Sequence, residues 1–399
     1  MSMNDQRPVI RFRPNKSPQR VRHGFPWAFD NEIVTDRRTK KIKPGTIVDL
    51  LDKDKNFVAQ AAFHPTSKIM ARVLEWDRDV EIDADWIVAK LTFAKFHRDQ
   101  LFKTPFYRLV HAEADGMPGL ILDRFGDVFV VQPNAVWIDG LIGDLIQAIE
   151  QVFGKVHIIK NASGRARGLE GLSDESEILR GSVGKPIPVS MNGAIYMADV
   201  LGGQKTGLFF DQRENHGFAA SLSRGGDMLD VFSHVGGFSL AALAGGAASA
   251  VAVDGSAAAL DLAVQGAEAS GFSDNFKIRK GDAFEVMTAL AAEARSFDMV
   301  VCDPPAFAPA KSALQAGLRA YEKVARLGAK LVRPGGYLVL CSCSHAVDIS
   351  SFRKSSFLGI GKAGRSGQII HNGQAGPDHP VHPHLAETAY LKSLFVRLK

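Results

Sequence analysis

Between residues 227 and 343, five short strand-like segments alternate with four stretches of helical length. The strand-like segments are MLDVF, SAVAVD, FKIRKGD, FDMVVCDPP and GYLVLCSCS, all but the charged FKIRKGD largely apolar, and the helices are expected over 237–245, 256–270, 283–294 and 312–332. Apolar runs without polar alternation are buried on both faces, and crossovers long enough for a helix join parallel strands. The C-terminal half is therefore expected to be an α/β layer structure, with helices on both faces of a parallel sheet. Ligands of such sheets lie beyond the carboxyl ends of the strands, so the residues that end each strand carry the functional argument.

The first strand runs into Asp230-Val-Phe232-Ser-His234-Val-Gly236-Gly237. Paired glycines let a ligand lie against the backbone at a helix start, although helix entries use glycine for purely structural reasons too. The second strand ends in Asp254, a carboxylate that can accept both hydroxyls of a ribose, and the third in Gly281-Asp282-Ala-Phe284, an acid beside an aromatic, suited to adenine. The three ends fit one adenosyl ligand. G-x-G-x-x-G is absent, and a dehydrogenase has no use for the fourth end, Asp303-Pro304-Pro305-Ala-Phe307. An acidic D-P-P-aromatic loop in that place can hold the polar edge of a flat substrate beside a methyl donor. The half-chain resembles a class I methyltransferase, with S-adenosylmethionine as cofactor.

The fifth end holds two of the three cysteines. Cys302 and Cys341 sit inside apolar strands and read as core sulfur. A spacing of one residue puts Cys341 and Cys343 on one face without suggesting a disulfide, and C-x-C alone gives a metal too few ligands, so no metal site is expected. Cys343, at the strand's carboxyl end, is the candidate nucleophile. Carbon 5 of a pyrimidine is not nucleophilic until a thiolate adds at carbon 6, whereas an exocyclic amine needs no cysteine. A guanine or adenine amine methyltransferase with a structural Cys343, or an RNA-binding protein without activity, are the competing expectations.

Residues 1 to about 80 read as short strands punctuated by turns, a small β-rich domain, and residues 81–190 as a central α+β domain, followed by the methyltransferase domain at 191–399. Residues 1–43 hold eleven Lys and Arg, including Arg20 and Arg22, against four acids. This cluster points to a polyanion such as nucleic acid. The uncharged run Val231–Val253 has the length of a membrane span, but it is rich in Ala and Gly, contains His234 and is bracketed by Asp230 and Asp254, so no span is expected. With three cysteines, no CxxC and no visible signal peptide, a cytoplasmic protein is expected.

The chain resembles the large-subunit ribosomal RNA methyltransferase I family, PUA-containing 23S rRNA 5-methylcytidine methyltransferases. The similarity covers Arg22–Ile33, Glu113–Arg124, Gly203–Arg213, Asp303–Phe307, Asp378–Val381 and Tyr390–Lys392. It implies a Rossmann-like class I methyltransferase domain preceded by a small β-rich PUA domain and a central α+β domain, a large-subunit ribosomal RNA partner, and a homodimer. It carries the nucleophile onto Cys343, with Asp303 holding the N3 and amino edge of the base next to Pro304, Pro305 and Phe307. Donor contacts are expected from Asp230, Phe232, Gly236, Gly237, Asp254, Asp282 and Asp303, with Gln212 and Arg213 from the loop over the donor. Lys205 or Arg213 would meet the methionine carboxylate, or pair with Asp211 or a phosphate. His234 either touches the donor or fills space, and His379, His382 and His384 are expected in an exposed tail loop.

Overall fold

The computed structural model describes residues 7–202 and 207–399 and divides into two compact units, 1–184 with 380–388, and 185–379 with 389–399. The interrupted assignment follows from a C-terminal segment that leaves the second unit at Pro380 and returns at Ala389.

The first unit contains two five-stranded sheets. In the first, Val9–Arg11, Ile47–Leu51, Phe57–Phe63, Ile69–Glu75 and Trp27–Phe29 are neighbours in that order. The Asp54-Lys55-Asn56 turn forms because Asp52 Oδ1 accepts the amides of Asp54 (2.9 Å) and Asn56 (2.8 Å), while Lys55 takes a φ of 69°. Trp27–Phe29 escapes sequence reading because three residues are too few to display a period of two. The second sheet orders Glu177–Arg180, His157–Lys160, Val128–Pro133, Leu120–Phe125 and Phe106–His111. Ile87, Leu91 and Ala94 from the helix Ala84–Leu101, with Leu145, Ala148 and Ile149 from the helix Ile142–Phe153, share its apolar core.

In the second unit the expected alternation is present. A seven-stranded sheet runs Phe276–Lys280, Ser249–Asp254, Asp227–Val231, Phe297–Cys302, Val332–Ser342, Lys392–Leu398, Gly367–Gly373. The first five strands are parallel and the last two antiparallel. The connecting helices are Gly237–Ala244, Ala257–Ala269, Ala283–Ala292 and Leu314–Leu331. Gly328 lets the last of these lie close on the sheet, since a Cβ there would stand 2.9 Å from Leu338 Cδ1 and 3.3 Å from Cys302 Sγ. The final strand begins at Val332 and stops at Ser342, so Cys343 lies one residue past its end. No helix among the described residues is long and apolar enough to cross a membrane.

Candidate active site

All five parallel strands of the second unit deliver their expected end residues to one edge of the sheet. After Asp227–Val231 the chain turns sharply: Phe232 has φ 66°, His234 φ 49° and Gly236 φ 78°. Two left-handed non-glycine residues cost about 1–3 kcal/mol each and persist only where the surroundings hold them. Ser233 N donates to Val253 O (3.0 Å), His234 N to Asp254 Oδ2 (2.9 Å) and Gly236 N to Ser233 O (2.9 Å). The His234 ring packs edge-on against Phe209 at 4.9 Å. Asp254 therefore braces the glycine turn as well as ending its own strand, where its Oδ1 accepts the Ser256 amide (2.8 Å).

Asp230 is buried beneath this turn. Its Oδ2 accepts from the amide (2.9 Å) and hydroxyl (2.8 Å) of Ser239, and its Oδ1 has no partner among the described residues. Burial raises its pKa to about 6, against the lowering effect of the Ser239 hydrogen bonds. Asp282 caps the helix Ala283–Ala292, its Oδ1 accepting the amides of Phe284 (2.9 Å) and Glu285 (3.1 Å). The rings of Phe232, Phe284 and Phe307 surround this end, with centroids 6.3–6.4 Å apart.

S-adenosylmethionine fits this edge. Asp254 and Asp282 each use backbone amides to fix their orientation and keep lone pairs for ribose and adenine. The glycine turn bares backbone, the three aromatic rings offer faces for a base, and Ser233 Oγ is a buried hydroxyl without a hydrogen-bond partner among the described residues, the kind of atom a ligand completes.

The fourth and fifth strand ends are adjacent, because Phe297–Cys302 and Val332–Ser342 pair in register with Cys302 opposite Leu340. Asp303 Oδ2 accepts from Gln212 Nε2 at 2.8 Å, and Gln212 Oε1 in turn accepts from Asn215 Nδ2 at 2.6 Å. Gln212, expected at the donor, is tied to the carboxylate at the end of the fourth strand. Pro304 is buried, Pro305 exposed, and the Phe307 ring leans on Tyr321 at 5.0 Å. Tyr321 joins the two loops: its hydroxyl accepts from Ser342 Oγ (2.9 Å) and shares a proton with Ser344 Oγ (2.8 Å), which accepts the Ala308 amide (3.0 Å).

The three cysteines separate by burial. Cys302 and Cys341 are buried and Cys343 is partly exposed. Burial pushes the thiols of Cys302 and Cys341 upward, and Cys341 Sγ takes a hydrogen bond from Ser393 Oγ at 3.2 Å.

Other expectations land differently. Arg213 is buried, its guanidinium lowered from its usual pKa by burial while Asp378 and Glu214 oppose the shift. Asp211 accepts from Tyr390 Oη (2.5 Å). Lys205 and Gln204 lie outside the described residues. The tail expectation needs correction, since His379 is buried with Nδ1 3.0 Å from Asp378 Oδ1, whereas His384 is exposed. Asp378 itself is fully buried, which explains why its neighbour stays inside. Arg20 and Arg22 belong to the first unit and are exposed but already paired: Arg20 with Glu32 (3.1 Å) and stacked on Phe25 at 3.9 Å, Arg22 with Asp52 (2.9 Å). Tyr321 and Asn215 join the site without a sequence signal, because a tyrosine or asparagine on a helix reads as core or surface until its partners are known; Lys392 ends the Tyr390–Lys392 segment of the resemblance, which gives it no role.

Residues 11–76 match the family described as PUA-like domain, and residues 172–397 the family of S-adenosylmethionine-dependent methyltransferases. The ribosomal RNA large subunit methyltransferase I of Erwinia tasmaniensis is 32% identical over 378 residues, covering 94% of this chain and 95% of the relative. That of Aeromonas hydrophila is 33% identical over 380 residues, with the same coverage. Among solved structures, a candidate methyltransferase complexed with SAH aligns with a TM-score of 0.81 at 19% identity, covering 98% of this chain and all of the other. A candidate S-adenosylmethionine-dependent methyltransferase from Streptococcus mutans aligns with a TM-score of 0.80 at the same identity and coverage. These two likenesses speak to the fold.

Proposed function

The chain belongs to the S-adenosylmethionine-dependent methyltransferase family that includes ribosomal RNA large subunit methyltransferase I, and from that premise we propose that it forms 5-methylcytidine in large-subunit ribosomal RNA through a Cys343 adduct. The observation that carries the reading is the position of Cys343. Of the three cysteines it is the one that is not buried, and it follows directly on the strand beside the Asp303 loop.

In the proposed reaction the Cys343 thiolate adds to carbon 6 of cytosine, and the ring electrons collect toward carbon 5 and N3. Asp303, oriented by Gln212, holds the N3 and amino edge and favours protonation there as the S–C bond forms. Bound S-adenosylmethionine supplies the sulfonium methyl that carbon 5 takes. Loss of the carbon 5 proton to a base then restores the 5,6 double bond and expels the thiolate, and N3 gives back the proton it gained, so the enzyme is returned unchanged. Pro304, Pro305 and Phe307 shape the space for the base, which must be unpaired or flipped from its stack to expose carbon 6.

The first unit supplies the RNA attraction in this reading. Arg20 and Arg22 share their charge with acids, whereas Arg37, Arg38, Lys40, Lys41 and Lys43 are all exposed within seven residues. Phosphate neutralisation by such a cluster is sequence-independent. The proposal keeps a PUA-like domain at 1–80, a central α+β domain at 81–190 and a methyltransferase domain at 191–399, in a cytoplasmic homodimer.

The test is incubation of the wild type and Cys343→Ala with labelled S-adenosylmethionine and total ribosomal RNA, followed by nucleoside mass spectrometry. Label in 5-methylcytidine from the wild type alone supports the adduct. Label on guanosine or adenosine that survives the substitution replaces it with direct amine methylation.

A further inference from the structure

Lys392 is a buried cation beside Cys343 that the mechanism above leaves unused. It is the first residue of the antiparallel strand Lys392–Leu398, paired opposite Ser342, one residue before the cysteine. Its side chain is 8% exposed, and Nζ donates to the carbonyls of Ser344 (2.8 Å) and Val347 (2.7 Å). Both carbonyls lie in the turn that follows Cys343, so the ammonium fastens the segment that carries the sulfur. Neutral carbonyls satisfy hydrogen bonds but do not offset the charge, and a lone buried cation is costly unless an anion stands near.

We propose that Lys392 is the positioning residue that fixes the Cys343 turn and whose positive charge stabilises the cysteine as thiolate. This rests on the reading of Cys343 as nucleophile. The surrounding charges favour the assignment. Tyr321 from the helix Leu314–Leu331 interacts with Cys343 and is kept neutral by burial, and Asp348, at the end of the turn, interacts with Lys392. On the adjoining strand, Lys392 stands at the end next to Cys343, opposite Ser342, whereas Arg397 pairs with Tyr337 at the far end. Burial lowers its pKa, and interaction with Cys343 and Asp348 pulls it back up, the reciprocal of the stabilisation offered to the thiolate. A fixed ammonium next to a thiol raises the thiolate fraction at neutral pH, and a thiolate is the species that attacks carbon 6.

The test needs no RNA. Peptide-resolved iodoacetamide alkylation of Cys343 is followed against pH in the wild type, Lys392→Arg, Lys392→Gln and Lys392→Met, with S-adenosylmethionine affinity by calorimetry as the check on folding. Gln keeps hydrogen-bond donors without the charge. The expected result is a pH midpoint about one unit higher, so about tenfold slower alkylation at pH 7, in Gln and Met but not in Arg, with donor affinity unchanged. An unmoved midpoint in folded Gln or Met overturns the proposal. A second measurement uses Cys343→Ala: competitive acetylation should label Lys392 faster than in the wild type, relative to exposed lysines, because its anionic partner is gone. Equal labelling also overturns it. Retained RNA methylation by Cys343→Ala would remove the nucleophile reading, while the alkylation midpoints would still report the Lys392–Cys343 coupling.

Discussion

Gln212 donates a 2.8 Å hydrogen bond to Asp303, joining two residues 91 positions apart. The amide can donate to a carboxylate and at the same time accept from Asn215, so it fixes the orientation of the Asp303 carboxylate. The loop before the first parallel strand thereby acts on the carboxylate for which base binding is proposed, as well as lying in the region expected over the donor.

Gln212→Leu removes this bond with little change of volume. A hydrogen bond to a charged group contributes about 1.5–3 kcal/mol, so kcat/KM should fall roughly 10–100-fold while donor affinity changes little. Single-turnover methylation beside donor calorimetry distinguishes the two; a loss confined to donor affinity would return Gln212 to the cofactor.

Tyr321→Phe should cost about 1–3 kcal/mol in urea unfolding, because the buried hydroxyl is bonded to Ser342 and Ser344 and its loss leaves those groups unpaired. Turnover should fall as well, since Ser344 ties the Ala308 amide of the Asp303 loop to the Cys343 turn. Unchanged stability and turnover together would show that the loops are held by other contacts.

Asp230 gives stability an unusual pH dependence. Its folded pKa, about 6, lies above the ordinary 3.8, so the folded protein holds its proton more tightly than the unfolded chain does. The contribution is fully present below the unfolded value and is lost as pH rises through about 6, on the order of 3 kcal/mol for a fully buried group. Asp230→Asn should abolish that share. The difference in unfolding free energy, wild type minus variant, should therefore fall as pH goes from 4 to 7, and a flat difference would refute the assignment.

Replacing Lys40, Lys41 and Lys43 with Ala should weaken RNA binding about equally for all sequences and reduce the slope of log affinity against log salt by about 2. Filter binding of ribosomal RNA fragments between low and physiological salt measures it. An unchanged slope would place the phosphate contacts elsewhere, with Arg20 and Arg22 the next residues to neutralise.

Much of the second unit was legible because its signals are local. An apolar run, a turn and a strand-end acid lie within a few residues of one another, so Asp254, Asp282 and Asp303 could be aligned on one edge of a sheet before any coordinates. The end of the last parallel strand was legible too, but only to within a residue, since nothing in CSCS says whether Cys343 is the last strand residue or the first of the turn. Burial then separated it from Cys341, which the shared spacing could not do.

What the sequence alone determined was the alternation of strands and helices and the chemistry at each strand end. What the tertiary structure decided was which distant groups complete that chemistry: Gln212 on Asp303, Tyr390 on Asp211 across 179 residues, and Lys392 on the Ser344 carbonyl across 48. The last of these pairs arises because the sheet order places the antiparallel strand Lys392–Leu398 beside Val332–Ser342. Periodicity along a chain records which face of an element is buried, whereas the partner across that face is set by packing between elements far apart in sequence.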